Sequence, residues 1–414
     1  MSSRERKSAA VSRSSVFFSY AFRPLFLLAT LYALLAVPVW VCAWLGWLPM
    51  SNIMGGNPTW WHAHEMLFGF AGAAVGGFLL TAVATWTKRP PVAGGPLVAL
   101  ALLWLSARLL LFAPGTMASG WVVPAAAAAD LGYDLLLLAL MSREVISARD
   151  QRNYKVLVLL ALLVVANAAF YVGIEGRAGW ADPALLAALW VFILLISVIA
   201  GRVIPAFTRN WLRLQGLQRA DAKRGAPPSF GRVDLAATVV MIAFATLTLL
   251  PVAPIVAALT GLVAGLLLLA RVARWQGFRA KRDPLVWILH VAFLWIPVGV
   301  LLLSGAALGW WPATGGVHAL TTGAITTMIV AIASRAALGH TGRPLQSHPV
   351  LNLGYAMITL SALLRVLVVA VPDARVMLFL SAASWSLGFA CFAWRYLPIL
   401  VQPPLELQLP VRPS

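Results

Sequence analysis

Pro183-Ala184-Leu185-Leu186-Ala187-Ala188-Leu189-Trp190-Val191-Phe192-Ile193-Leu194-Leu195-Ile196-Ser197-Val198-Ile199-Ala200 runs without a single charged side chain. Wound as an α-helix at about 1.5 Å per residue, such a run approaches the roughly 30 Å hydrocarbon core of a bilayer. A helix apolar on every face has no side to offer to water. The run therefore reads as a membrane span, and its pattern recurs along the chain. Uncharged apolar runs predict twelve spans, at 22–47, 60–86, 94–113, 121–141, 154–174, 183–207, 233–250, 252–274, 284–305, 312–336, 349–370 and 374–397. The seventh and eighth are the hardest to separate, because only a short turn at Pro251 and Pro254 divides them.

Composition agrees. Of 414 residues, 61% are hydrophobic and 11% charged, where a soluble domain carries about a quarter charged. The expectation is an all-α polytopic membrane protein. A basic tail at 1–21 precedes one helical domain over 22–400, and a short tail at 401–414 follows. The domain divides into halves 22–207 and 233–400, joined by the basic loop 208–232 with its Pro227-Pro228.

The net charge of +18 could suggest nucleic acid, but its distribution excludes that partner. The 31 Lys and Arg crowd into alternate segments: the N-terminus through Arg23, then 88–89, 143–155, 209–232, 271–282, 335–343 and the C-terminal end. The opposite loops hold only Arg177 and Arg375, while Arg108, Arg202 and Arg365 lie inside spans. This asymmetry is the positive-inside pattern, and it predicts both termini in the cytoplasm. The basic loops would then face anionic headgroups. Cys42 and Cys391 lie inside apolar spans and read as small core residues. With no CxxCH, covalent attachment of a c-type haem is excluded.

Ionisable side chains inside a bilayer are costly, and by default they mark function. The six histidines divide by depth. His62, His64 and His318 fall near the periplasmic ends of the second and tenth spans, whereas His290, His340 and His348 fall toward the cytoplasm. The 22 residues from His318 to His340 make about 33 Å of helix, so one metal centre cannot use both. Imidazole is a common ligand for haem iron, copper and zinc, which makes His62, His64, His318, His290 and His340 metal candidates. His62 and His64 lie about 200° apart on a helix wheel and should do different jobs, unless the irregular start at Gly55, Gly56 and Pro58 brings them together. The leading pairing is His64 with His318 across two helices. A lone histidine such as His290 can equally be a hydrogen-bonded packing residue, and His348 reads as an interfacial loop residue. Met66 and Cys42 offer soft copper ligands but are also ordinary core residues. Glu65 is a hydrogen-bond acceptor for an imidazole, a proton carrier or a solvated helix-start carboxylate. Arg108 and Arg365, each near a periplasmic span end, need an anion. Asp130 is one candidate for Arg108, and Asp134 shares its helix face. There is also a faint internal echo. Leu45-Gly46-Trp47-Leu48-Pro49 closes the first span and Leu308-Gly309-Trp310-Trp311-Pro312 the ninth, each followed by a span with histidine near its start.

Several blocks resemble the NnrS family: Phe22-Arg23-Pro24-Leu25-Phe26, Trp61-His62-Ala63-His64-Glu65-Met66-Leu67-Phe68-Gly69-Phe70 and Gly77-Phe78-Leu79-Leu80-Thr81. So do Gly201-Arg202-Val203-Ile204-Pro205, His318-Ala319-Leu320-Thr321-Thr322-Gly323, Leu338-Gly339-His340-Thr341-Gly342-Arg343 and Trp394-Arg395-Tyr396-Leu397-Pro398. The resemblance implies a twelve-span bacterial inner-membrane protein carrying haem (b-type, given the missing CxxCH) and copper. It also implies a setting of nitric-oxide stress or denitrification, with nitric oxide or a related small molecule, and denitrification proteins, as partners. By the same resemblance His62, His64 and His318 lead as ligands, and His290 and His340 follow. For Arg108 and Arg365, haem propionates are one candidate anion beside Asp130, because a planar guanidinium suits carboxylates. Binding or redox chemistry at the metal is the first functional reading, and whether the protein is an enzyme is left open. A multi-pass transporter of a metal, haem or nitrogen-related metabolite is the alternative.

Overall fold

With no water inside a bilayer, a spanning segment must satisfy its own backbone hydrogen bonds, and a helix does so within one segment. In the computed structural model, which describes residues 16–48, 57–112, 120–176, 178–216, 225–371 and 373–405, helix is the regular structure throughout the described residues. Twelve long helices follow the predicted spans: α1 (Phe22–Trp44), α2 (Pro58–Thr87), α3 (Gly95–Phe112), α4 (Val122–Ser147), α5 (Tyr154–Ile174), α6 (Ala181–Leu214), α7 (Arg232–Leu247), α8 (Pro254–Arg274), α9 (Pro284–Ala307), α10 (Thr314–Gly339), α11 (Pro349–Leu367) and α12 (Arg375–Val401). Eleven are long and apolar enough to cross a bilayer. The exception is α7, whose 16 residues span about 24 Å. Its end at Leu247 follows from the prolines at 251 and 254, the turn that makes this pair of spans hard to divide from sequence. The protein is thus a multi-pass membrane protein. The tail residues 1–15, Pro49, Gly55 and Gly56, Arg177, part of the 208–232 loop (217–224) and the tail from 406 lie outside the described residues.

Three helices start by one device. Asn57, Asp283 and His348 each accept a backbone N–H from the first turn while proline occupies N1, which meets orphan donors and presets the backbone. His348 is therefore a helix cap. Its Nδ1 accepts from Val350 N–H at 3.2 Å.

Neighbours in sequence pack together, and α12 closes the bundle against α1. Arg23 fastens this closure. Its guanidinium donates to the Leu400 and Gln402 carbonyls, both at 2.7 Å, which an ending helix leaves unpaired. A second buried arginine, Arg271 of α8, pairs with Asp234 of α7 at 2.8 Å and donates to Ser197 Oγ and the Ser197 carbonyl of α6. Gly201 makes room for it, since a Cβ there would stand 1.9 Å from Arg271 Nη2. The two cysteines are free, as expected.

The sequence echo is structural. Gly46 (φ 78°) and Gly309 (φ 74°) both take the left-handed conformation after their helices. In each case the next residue's N–H reaches back, Trp47 to the Cys42 carbonyl and Trp310 to that of Gly305, the glycine-closed helix end. The helices that follow are broken alike. In α2, α-helix over Pro58–His64 gives way to a π-helix over Glu65–Ala71 before α-helix resumes at Gly72. In α10, the same sequence runs Thr314–His318, π-helix Ala319–Thr326, then α-helix from Thr327. The echo pairs α1 with α9, so it does not coincide with a division into six and six.

Candidate functional site

The π-segments begin one residue after His64 and His318, and such segments occur frequently at functional sites. They place the histidine ends of α2 and α10 beside a cavity of about 390 Å³, walled by α1, α2, α6, α10, α11 and α12. Three of the predicted site residues line it: His62, His318 and Arg365. Most of the remaining wall is apolar, from Val37 of α1 to Trp385 of α12.

His62 is held by its neighbours. The Trp40 indole stacks on its ring with centroids 4.3 Å apart, and its Nδ1 is buried without a hydrogen-bond partner. Met66, one turn on, lines the same cavity. Asp182 joins the cavity rim, fixed by a 2.8 Å hydrogen bond from Trp60 Nε1. On the facing helix, His318 Nδ1 donates to the Thr314 carbonyl at 2.7 Å. That bond sets the tautomer and leaves the Nε2 lone pair available, the usual arrangement of a ligating histidine. Arg365, in the last turn of α11, has no acidic partner among the described residues. Helices α9 to α12 contain no Asp or Glu.

His64 points elsewhere. It is fully buried, and both ring nitrogens face oxygens: Nδ1 meets Glu65 Oε1 at 2.9 Å, while Nε2 meets Asn167 Oδ1 at 3.0 Å and Asp130 Oδ2 at 3.2 Å. Arg108 pairs with both carboxylates, Glu65 at 3.1 Å and Asp130 more closely. Tyr32 donates to Glu65, and Tyr171 to Asp130 at 3.2 Å. The Asn167 amide donates to Asp130 and to Asp134, at 3.0 and 2.7 Å. This set ties α1, α2, α3, α4 and α5 together. Charges taken out of water persist only when paired and hydrogen-bonded in this way.

The expected pairing of His64 with His318 is therefore corrected: the histidine that shares a cavity with His318 is His62. The reason is the two-residue spacing, which turns the two rings of α2 to opposite sides. Arg108 likewise finds its anions in Glu65 and Asp130 and does not reach the cavity. The histidines expected toward the cytoplasm do not gather. His290 is bound to Thr208 Oγ1 at 2.9 Å, and His340 stacks on Phe22 with Tyr20 tilted beside it. Trp40, Asp182, Tyr32, Asn167 and Tyr171 are site residues the sequence reading passed over. Asn167 carried a signal, a side-chain amide in the middle of an otherwise apolar span.

Among the described residues no three of His, Cys, Asp and Glu converge as a ready metal cage. A metal in the cavity would thus take its remaining ligands from elsewhere, from a thioether, water or a porphyrin. No curated protein matches the sequence. A family model described as NnrS protein matches residues 16–403.

Proposed function

Taking as premise that the chain belongs to the NnrS family, we propose that it is a bacterial inner-membrane protein that protects against nitric oxide by binding or redox chemistry at a histidine-held metal. The observation that carries this reading is the convergence of His62 and His318 on one cavity. Haem iron is the group the residues suit best. It brings four nitrogens of its own and asks the protein for only one or two axial ligands. The cavity volume falls within the usual range for cofactors, its wall is largely apolar, and the buried Nδ1 of His62 lacks a partner. His62 and His318 would hold the iron, and Trp40 would fix the plane of the His62 ring. A bound haem supplies an iron atom to which nitric oxide can coordinate. The chain's own contribution is to orient the imidazoles and keep the wall around them apolar.

Copper is favoured by a separate observation. Met66 shares the cavity with both histidines, and a thioether with imidazoles suits Cu(I). The transporter reading draws on the two interrupted helices at corresponding places, the arrangement from which many transporters build substrate sites.

The test is a spectrum and metal analysis of the purified protein, together with His62→Ala and His318→Ala. A Soret band or stoichiometric copper that is lost in both variants supports the reading. Absence of haem and copper from the wild-type protein, or retention of full metal by both variants, overturns it.

A further inference from the structure

The two broken helices repeat one pattern, and comparing its two copies shows where they differ. Counting from each α/π junction, Pro58 and Pro312 stand at matching positions before His64 and His318, and Gly69 and Gly323 at matching positions after. Both glycines take an aromatic ring from the preceding helix. A Cβ on Gly69 would lie 2.9 Å from Tyr32, and one on Gly323 2.6 Å from Trp295. Tyr32 and Trp295 are themselves equally spaced from the capping glycines Gly46 and Gly309. In each copy the next helix, α3 or α11, carries an arginine near its end, Arg108 or Arg365.

In the first copy the histidine and the arginine are joined by carboxylates. Glu65 and Asp130 bridge His64 to Arg108. In the second copy Glu65 is matched by Ala319, and α12, which stands where α4 stands in the first copy, has no acidic residue. The space is open instead, and His318 and Arg365 both border it. Among the described residues of the wall the one carboxylate is Asp182, which is exposed and already accepts from Trp60. The half-buried Arg365 guanidinium lines the cavity with no acidic side chain paired to it among the described residues, and its fork matches a planar oxyanion.

We propose that the cavity binds a planar oxyanion, a carboxylate or an inorganic equivalent, on Arg365 beside His318, in the place that Glu65 and Asp130 fill in the first copy. The anion has two sources of the same chemistry: a free small oxyanion, or a carboxylate of a cofactor lodged in the cavity. The cofactor source rests on the haem reading above, whereas the free-anion source stands without it.

The experiment uses the full-length protein in detergent, titrated calorimetrically with sodium nitrite and sodium acetate against sodium chloride as control, with haem content measured in the same samples. Wild type, Arg365→Gln and Arg365→Lys are compared. If the anion is free, nitrite or acetate binds the wild type and binds Arg365→Gln about tenfold or more weakly, the scale of one lost charge-assisted hydrogen bond. If it belongs to a cofactor, Arg365→Gln loses haem, and haem with esterified carboxylates is retained equally by wild type and variant. Arg365→Lys keeps the charge without the fork and falls between. Without ligand, Arg365→Gln melts no lower than wild type, because it removes an unpaired cation. The proposal is overturned if Arg365→Gln changes neither anion affinity nor haem retention, or if the ligand-free variant is strongly destabilised. A metal-free protein that still binds nitrite through Arg365 would refute the haem reading alone.

Discussion

Replacing His64 and His62 separately by alanine distinguishes the two jobs that one short stretch of α2 performs. His64→Ala leaves Glu65 and Asp130 each short of a donor inside the bundle. Two hydrogen bonds to charged groups, at roughly 1.5–3 kcal/mol each, agree with the roughly 3–5 kcal/mol typical of breaking a buried ion pair. His62→Ala removes a ring stacked on Trp40 and enlarges an existing cavity. An aromatic stack is worth about 0.5–1.5 kcal/mol, so the loss should be severalfold smaller. Thermal unfolding in detergent, followed by the monodisperse fraction on size exclusion, should rank His64→Ala well below His62→Ala. Metal content should rank them the other way, with His62→Ala depleted and the folded fraction of His64→Ala loaded. If His64→Ala is as stable as wild type but lacks metal, His64 is a ligand and the assignment of roles is wrong.

Gly201→Ala puts a methyl 1.9 Å from Arg271 Nη2 and should displace that side chain from Ser197, costing about 1–3 kcal/mol as an overpacked core site; an unchanged melting temperature would contradict it. Arg23→Ala removes two 2.7 Å bonds to the end of α12 and should cost at least about 3 kcal/mol, seen as earlier proteolysis of the C-terminal segment in limited digestion. Just past the end of α10, outside the spans, desolvation beside Tyr20 and Phe22 lowers the His340 pKa below the ordinary 6.5. The fold therefore favours the neutral ring. The stability tied to it is complete above pH 6.5 and is lost as pH falls through the lowered value, and His340→Gln should abolish that part of the acid sensitivity in a pH series of melting curves.

The spans were legible because a bilayer demands long apolar runs and forbids unpaired backbone. Helix ends were less so. Helix α6 continues past the expected 207 to Leu214, through Pro205 and into basic sequence, since leaving the hydrocarbon does not oblige a helix to stop. Arg108 with Asp130 could be named as a pair, because α3 and α4 are consecutive and both charges lie inside spans. The cavity could not. Which face of α2 carries His62 follows from spacing, but what stands opposite depends on α10, more than two hundred residues away in sequence. The π-segments were invisible for a different reason. They change the hydrogen-bond register without changing hydropathy, and only Gly69 and Gly323, each taking a bulky neighbour against its Cα, hinted at unusual packing there.

An i→i+5 turn holds one residue more than an α turn. A single helical wheel drawn through Pro58–Thr87 therefore misplaces every position after Ala71 by about 100° relative to those before Glu65. The same holds across Ala319–Thr326. A cysteine or tryptophan scan along either helix should show two phases of accessibility with a break between them. A scan read as one continuous wave would assign cavity-facing positions to the lipid.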